Sequence, residues 1–172
     1  MRYAQWMVVL TLGTVLAAGL PDEAAAAKRP KSVVTAVVGG HRVKFAKKTV
    51  EANAQGDSIA FGGGQRPHRL GQTLKAMAVG CAVALSGGVF PVDGQFCTMA
   101  YSEIKFRRPI TTKSWVAVSD PLEGLDAIRV TVESFDGTVV RGSFSGTLQP
   151  DAANAGSGPV TVENGKFTIV LE

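Results

Sequence analysis

Two histidines, two cysteines, and scattered carboxylates and cations are the groups in this 172-residue chain able to do chemistry. His41 and His68 stand 27 residues apart with no carboxylate or thiol clustered beside either, a spacing that offers no metal site. Cys81 and Cys97 are not at C-x-x-C spacing and have no neighbouring His, so a disulfide is expected in place of a reactive or metal-binding thiol pair. Closing a loop of about 15 residues is worth on the order of 3 kcal/mol in the chain-entropy picture.

Two stretches match catalytic motifs only in letters. Gly142-Ser143-Phe144-Ser145-Gly146 places Phe where G-x-S-x-G needs its nucleophilic Ser. Ser102-Glu103-Ile104-Lys105 fits S-x-x-K, yet in a strand a three-residue spacing sends Ser and Lys to opposite faces. The glycine run Gly62 to Gly64 lacks the Lys-Ser/Thr and the helix of a phosphate cradle, and no Asp-rich calcium loop occurs. Paired acids for hydrolysis would have to be assembled by folding, with Asp93, Glu103 and Glu133 as the candidates. Neither cofactor nor metal is expected.

What remains is cationic. Lys47-Lys48, Arg66 with His68 and Arg69, and Lys105 with Arg107 and Arg108 form short basic clusters suited to anions. Past Ala27 only Trp115 and Tyr101 are large polar aromatics, too few for the stacking that single-stranded nucleic acids require. Specific nucleic-acid binding is therefore not expected. From Lys28 to Lys113 there are 14 basic and 4 acidic residues, and from Ser114 to Glu172 there are 3 and 8. In a compact fold these halves can neutralise one another where their strands interleave.

The elements that must hold these groups are strands. Apolar residues alternate at period two, and Gly, Pro, Asn and Asp punctuate them. Val33 to Val38 and His41 to Phe45 read as a hairpin across Gly39-Gly40, pairing Val34 with Phe45 and Ala36 with Val43. Ser58 to Phe61 reads as a strand, followed by a loop from Gly62 to Pro67. Leu74 to Leu85 sets Met77, Val79, Cys81, Val83 and Leu85 on one face and only Ala and Gly on the other. Large side chains from a neighbour are expected to cover that flat second face.

If Cys81 lies opposite Cys97, then Val79 meets Met99, Met77 meets Tyr101, Lys75 meets Glu103, Ala78 meets Ala100 and Ala82 meets Phe96. Lys113 to Val118, Ala127 to Phe135 and Val139 to Leu148 supply further strands. The last two need a bulged turn at Asp136, Gly137 and Thr138 to keep Ile128, Val130 and Val132 in line with Gly142, Phe144 and Gly146. Asn164-Gly165 is the strongest turn dipeptide and predicts a closing hairpin from Val160 to Leu171. Nine to ten strands imply an antiparallel β-sandwich, jelly-roll or immunoglobulin-like.

Residues 1 to 27 read as a secretory signal peptide. Arg2 precedes the uncharged run Trp6 to Leu20, and Ala24 to Ala27 offers small residues for cleavage. Fifteen apolar residues fall short of the roughly 20 that a spanning helix needs. Leu20 stands where a lipobox would have Cys, so no lipid or transmembrane anchor is expected after cleavage. Residues 28 to 172 are enough for one domain.

The opening Val34 to Gly40, the stretch Asp136 to Leu148 and the closing Val160 to Leu171 resemble small secreted bacterial β-sandwich domains of unknown function. That resemblance implies an exported bacterial setting and carries no catalytic residues. The reading is a non-enzymatic binding or adhesion module, secreted or periplasmic. Its expected partner is an anionic cell-envelope polymer or another envelope protein. A secreted hydrolase with a dispersed carboxylate site is the alternative.

Overall fold

A computed structural model describes residues 30–46, 50–65, 73–107, 109–152 and 158–171. Residues 1 to 27, read from the sequence as a signal peptide, lie outside the described residues. The first hairpin forms as expected: β1 (Val33–Val38) and β2 (His41–Ala46) pair Val34 with Phe45 and Ala36 with Val43. Gly39 and Gly40 take φ of 54° and 80°, the left-handed values the two-residue turn demands. Next come β3 (Val50–Gln55), β4 (Ser58–Gly64) and β5 (Thr73–Ala82). The two-residue β6 (Val92–Asp93) precedes the long β7 (Gln95–Lys105) and β8 (Thr111–Asp120). The chain closes through β9 (Leu125–Asp126), β10 (Ile128–Phe135), β11 (Val139–Pro150) and β12 (Val160–Val170).

The fold is all antiparallel β with one disulfide, but its strands do not separate into two independent sheets. A single path runs β2-β1-β12-β11-β8-β7-β5-β4-β3, curled towards a barrel. The joint is β11. Its residues 140–146 pair with β10, and beyond them Gln149 and Pro150 pair with Val116 and Trp115 of β8 along the same edge. The curl lets Phe61 of β4 pack on Phe167 of β12 and Phe144 of β11, with ring centroids 4.5 and 5.8 Å away. One continuous core results, with Phe45, Ile59, Met99, Leu148 and Ile169 wholly enclosed.

Where the pattern slips, a bulge restores it. Val162 and Phe167 are both buried although five residues apart, an odd separation that an unbroken strand would split between faces. Asn164, at φ 52°, supplies the extra residue, and Gly165 then faces the Phe144 carbonyl at a distance that leaves no room for a Cβ. Asn164-Gly165 is therefore a bulge inside β12 and not a hairpin. It could not be a hairpin, because β1 and β11 flank β12 on both sides through this point.

The β10–β11 register is the one the apolar pattern requires, pairing Val130 with Phe144 and Val132 with Gly142. The bulge that secures it sits at Glu133 in the strand, whereas the sequence placed it in the turn. β3, β6 and β9 escaped the sequence reading, β3 because its inward positions past Val50 are only Ala52 and Ala54, and β9 because it is two residues within what reads as a turn. β4 runs on through Gly64, so the expected loop at Gly62 begins later. There the strands approach so closely that a Cβ on Gly62 would lie 2.9 Å from the Met77 carbonyl oxygen.

Candidate functional site

At one end of β5, β7 and β8 the inward-facing rows run out of core and become polar. Two antiparallel pairings fix the arrangement: Lys75 opposite Glu103 opposite Lys113, and one step outward Thr73 opposite Lys105 opposite Thr111. Because i and i+2 share a face, these residues continue the row that buries Met77, Tyr101 and Trp115. The Lys75 ammonium stands 3.7 Å from Glu103 Oε1, and the Tyr101 hydroxyl donates to the same oxygen at 2.8 Å. Burial, the hydrogen bond to Glu103 and the charge of Glu103 all push the Tyr101 phenol above its usual range. It therefore stays a neutral donor.

Tyr101 rests on Trp115 at 5.8 Å, and the Trp115 indole N–H donates to the Gly158 carbonyl at 3.0 Å. Glu103 is thus held on a rigid aromatic floor, with lysines on three sides. Lys105, Lys113 and, just past the strand, Arg107 are exposed. Of the basic residues singled out in the sequence, Lys105 and Arg107 lie here. Lys47, Lys48, Arg66, His68, Arg69 and Arg108 lie outside the described residues. Lys75 and Lys113 were not singled out, since each stands alone in the sequence. The signal was the pairing of Lys75 with Glu103, which the register bears out.

The other faces of these strands differ. Outward across β4, β5, β7 and β8 run Gly62, Ala78, Ala100 and Val116, and beside them Ala60, Gly80, Thr98 and Val118. Among the described residues the large side chains expected over β5 do not cover it: Ala78 is exposed, as are Val116 and Val118 at 44 % and 48 %. Glu51 and Asn53 of β3 border a shallow groove of about 630 Å³ on this face.

The disulfide joins Cys81 to Cys97 with Cα atoms 4.2 Å apart, well inside the 7 Å limit for a bridge. A bulge on β7 sets Phe96 and Cys97 against Cys81, so Ala82 meets Gln95 and not Phe96. Phe96 takes φ 48° and points its ring outward, 44 % exposed. A second cleft, about 270 Å³, lies between Phe96, Asp93, Leu125, Asp126 and Arg129.

The candidate hydrolytic acids do not come together as a group of three: Asp93 and Glu133 lie near one another where β6 pairs with β10, and Glu103 stands apart from them. Asp93 accepts a hydrogen bond from the Thr131 hydroxyl at 2.6 Å, and Glu133 lies two residues beyond Thr131. Glu103 is eight residues along β7 from Gln95, about 27 Å at the rise of an extended strand. Ser102 and Lys105 fall on opposite faces and Phe144 is buried, so neither catalytic motif has its geometry. Among the described residues no three His, Cys, Asp or Glu side chains group as metal ligands. No helix among them is long and apolar enough to cross a membrane. No family model, curated protein or solved structure matches the chain.

Proposed function

We propose that this protein is an exported, non-enzymatic binding module of the bacterial periplasm or cell surface. The observation that carries the reading is the outward face of β4, β5, β7 and β8. Three rows from Ala60 to Ser114 hold no charged side chain, over about 400 Å² at ordinary strand spacings. An exposed patch of that size made largely of Ala, Gly and Val is commonly a contact surface. Export is supported by the leader pattern of residues 1 to 27 and by the Cys81–Cys97 disulfide. The same proposal keeps the sandwich reading of the fold, jelly-roll or immunoglobulin-like. It takes β2-β1-β12-β11-β10 and β3-β4-β5-β7-β8 as two layers, with Phe61 between them against Phe144 and Phe167.

Affinity capture from the native envelope fraction tests the proposal. A V116K/V118K variant should lose the partner that the unaltered protein captures, while R42Q/K44Q, on the outward side of β2, should retain it. Equal capture by both variants would remove the uncharged face from the function. Turnover of envelope glycans or esters by the purified protein would replace the binding reading with the hydrolase.

A further inference from the structure

We infer that Lys75, Lys105 and Lys113, set around Glu103 at one end of β5, β7 and β8, form a shelf for a linear phosphate-bearing polyanion. The inference rests on the binding-module reading and adds a second site to it, on the side of these strands opposite the uncharged rows. Geometry selects the ligand. Lys75 and Lys113 sit on either side of β7, about 10 Å apart, and Lys105 lies about 7 Å along β7 from Glu103.

Glu103 stands between the three lysine positions in the strand register, its carboxylate held by the Tyr101 hydroxyl and by Lys75. A single small anion placed centrally among the lysines is therefore repelled by that carboxylate. An extended polymer escapes that exclusion by placing successive anionic groups on either side of the carboxylate. Lysine is a common phosphate binder that meets the anion as a point charge, without the fixed approach of arginine's planar fork, so it can follow a flexible chain that carries a charge at every repeat.

Exposure sets the strength. Lys105 and Lys113 are open to solvent, so each contact is weak and affinity comes from several contacts and from the counterions they release. Arg107, exposed two residues beyond Lys105, extends the same positive track. Asp151, the other acid near this end, pairs with Ser114 at 3.3 Å. Ser114 faces away from the shelf, so Asp151 does not oppose the track.

The test is binding of the oxidised protein to long-chain inorganic polyphosphate over a salt series. Three cations predict a log–log salt slope of about −2 to −3. K105Q and K113Q should each weaken binding roughly two- to fivefold and flatten the slope by about one. E103Q should tighten binding to polyphosphate and allow orthophosphate, excluded from the unaltered protein, to compete. R42Q/K44Q removes two positive charges elsewhere, twice the loss in either single variant, and should change little.

Absence of binding at low salt, or an equal loss in R42Q/K44Q, would overturn the shelf. So would binding confined to phosphatidylglycerol vesicles with none to polyphosphate. Failure here with envelope capture intact would discard the shelf and leave the binding module standing.

Discussion

The outward faces of the two halves of this sheet follow opposite rules while sharing one core. On β2, β10, β11 and β12 the exposed positions carry Arg42, Lys44, Arg129, Arg141, Glu163 and Lys166, charged residues alternating with buried apolar ones. On β4, β5, β7 and β8 the corresponding positions are mostly Ala, Gly, Ser, Thr and Val, with Leu74, Phe96 and Ile104 towards the strand ends and Asp120 closing β8. The buried parts of the inward faces do not differ in kind: both are chiefly apolar, and among the described residues no polar or charged side chain is buried, although the inward rows turn polar at the Lys75–Glu103 end of β5, β7 and β8. Core packing therefore cannot account for the contrast. A solvated strand face is ordinarily polar, and the second half departs from that where nothing in the fold requires it except at Gly62. The departure is a property of the surface.

That argument requires a single core beneath both exteriors, and the largest expected effect tests it. Phe61→Ala removes the ring that touches Phe144 and Phe167 across the interior. It should cost about 3–5 kcal/mol, the range for emptying a buried aromatic site. Urea unfolding followed by Trp115 fluorescence and by far-ultraviolet circular dichroism should give one coincident transition, shifted down. Two separated transitions would mean that the halves fold as independent units. The contrast between their surfaces would then be a contrast between two domains.

A smaller effect sharpens the same comparison by acting on one half alone. The Cys81–Cys97 bridge lies within the uncharged half, joining β5 to β7 beneath the outward Phe96. Replacing both cysteines with serine should cost about 3 kcal/mol, by the loop-closure argument. The loss should appear as a lower urea midpoint with an m-value no smaller than that of the bridged protein, since the freed unfolded chain exposes more surface. Gly94 adds a packing constraint, because a Cβ there would stand 3.0 Å from both Cys81 Cβ and Cys97 Sγ. Gly94→Ala should therefore destabilise the oxidised protein and be better tolerated in the cysteine-free one.

Much of this was legible from residue types. The β5–β7 pairing of Val79 with Met99 and Met77 with Tyr101 follows once the two cysteines are joined, because a disulfide fixes the parity of both strands. The first hairpin was equally legible, since turn and alternation agree there. Asn164-Gly165 misled because a dipeptide reports only the left-handed conformation it favours. Whether that conformation turns the chain or bulges it depends on strands 130 residues away in β1. The curl that makes one connected sheet is set by the long-range pairing of Gln149 with Val116, for which no local signal exists. For the candidate site the limit was the same. Lys105 and Arg107 advertise themselves as a cluster, whereas Lys75 and Lys113 join them only through the register.

The smallest expected effect separates surface from fold. Ala78 is exposed between Gly62 and Ala100, and Lys44 is exposed on β2 between Arg42 and Ala46. If the uncharged face serves contact and not stability, Ala78→Lys and Lys44→Ala should each shift the unfolding free energy by no more than about 0.5 kcal/mol. A lysine at 78 has flat neighbours over which its aliphatic stem can lie while the ammonium reaches water. The two variants should nevertheless diverge in partner capture, because only Ala78→Lys places a charge on rows that have none. A large loss of stability for Ala78→Lys would show that small outward residues are required by the sheet itself. The difference between the two exteriors would then belong to folding after all.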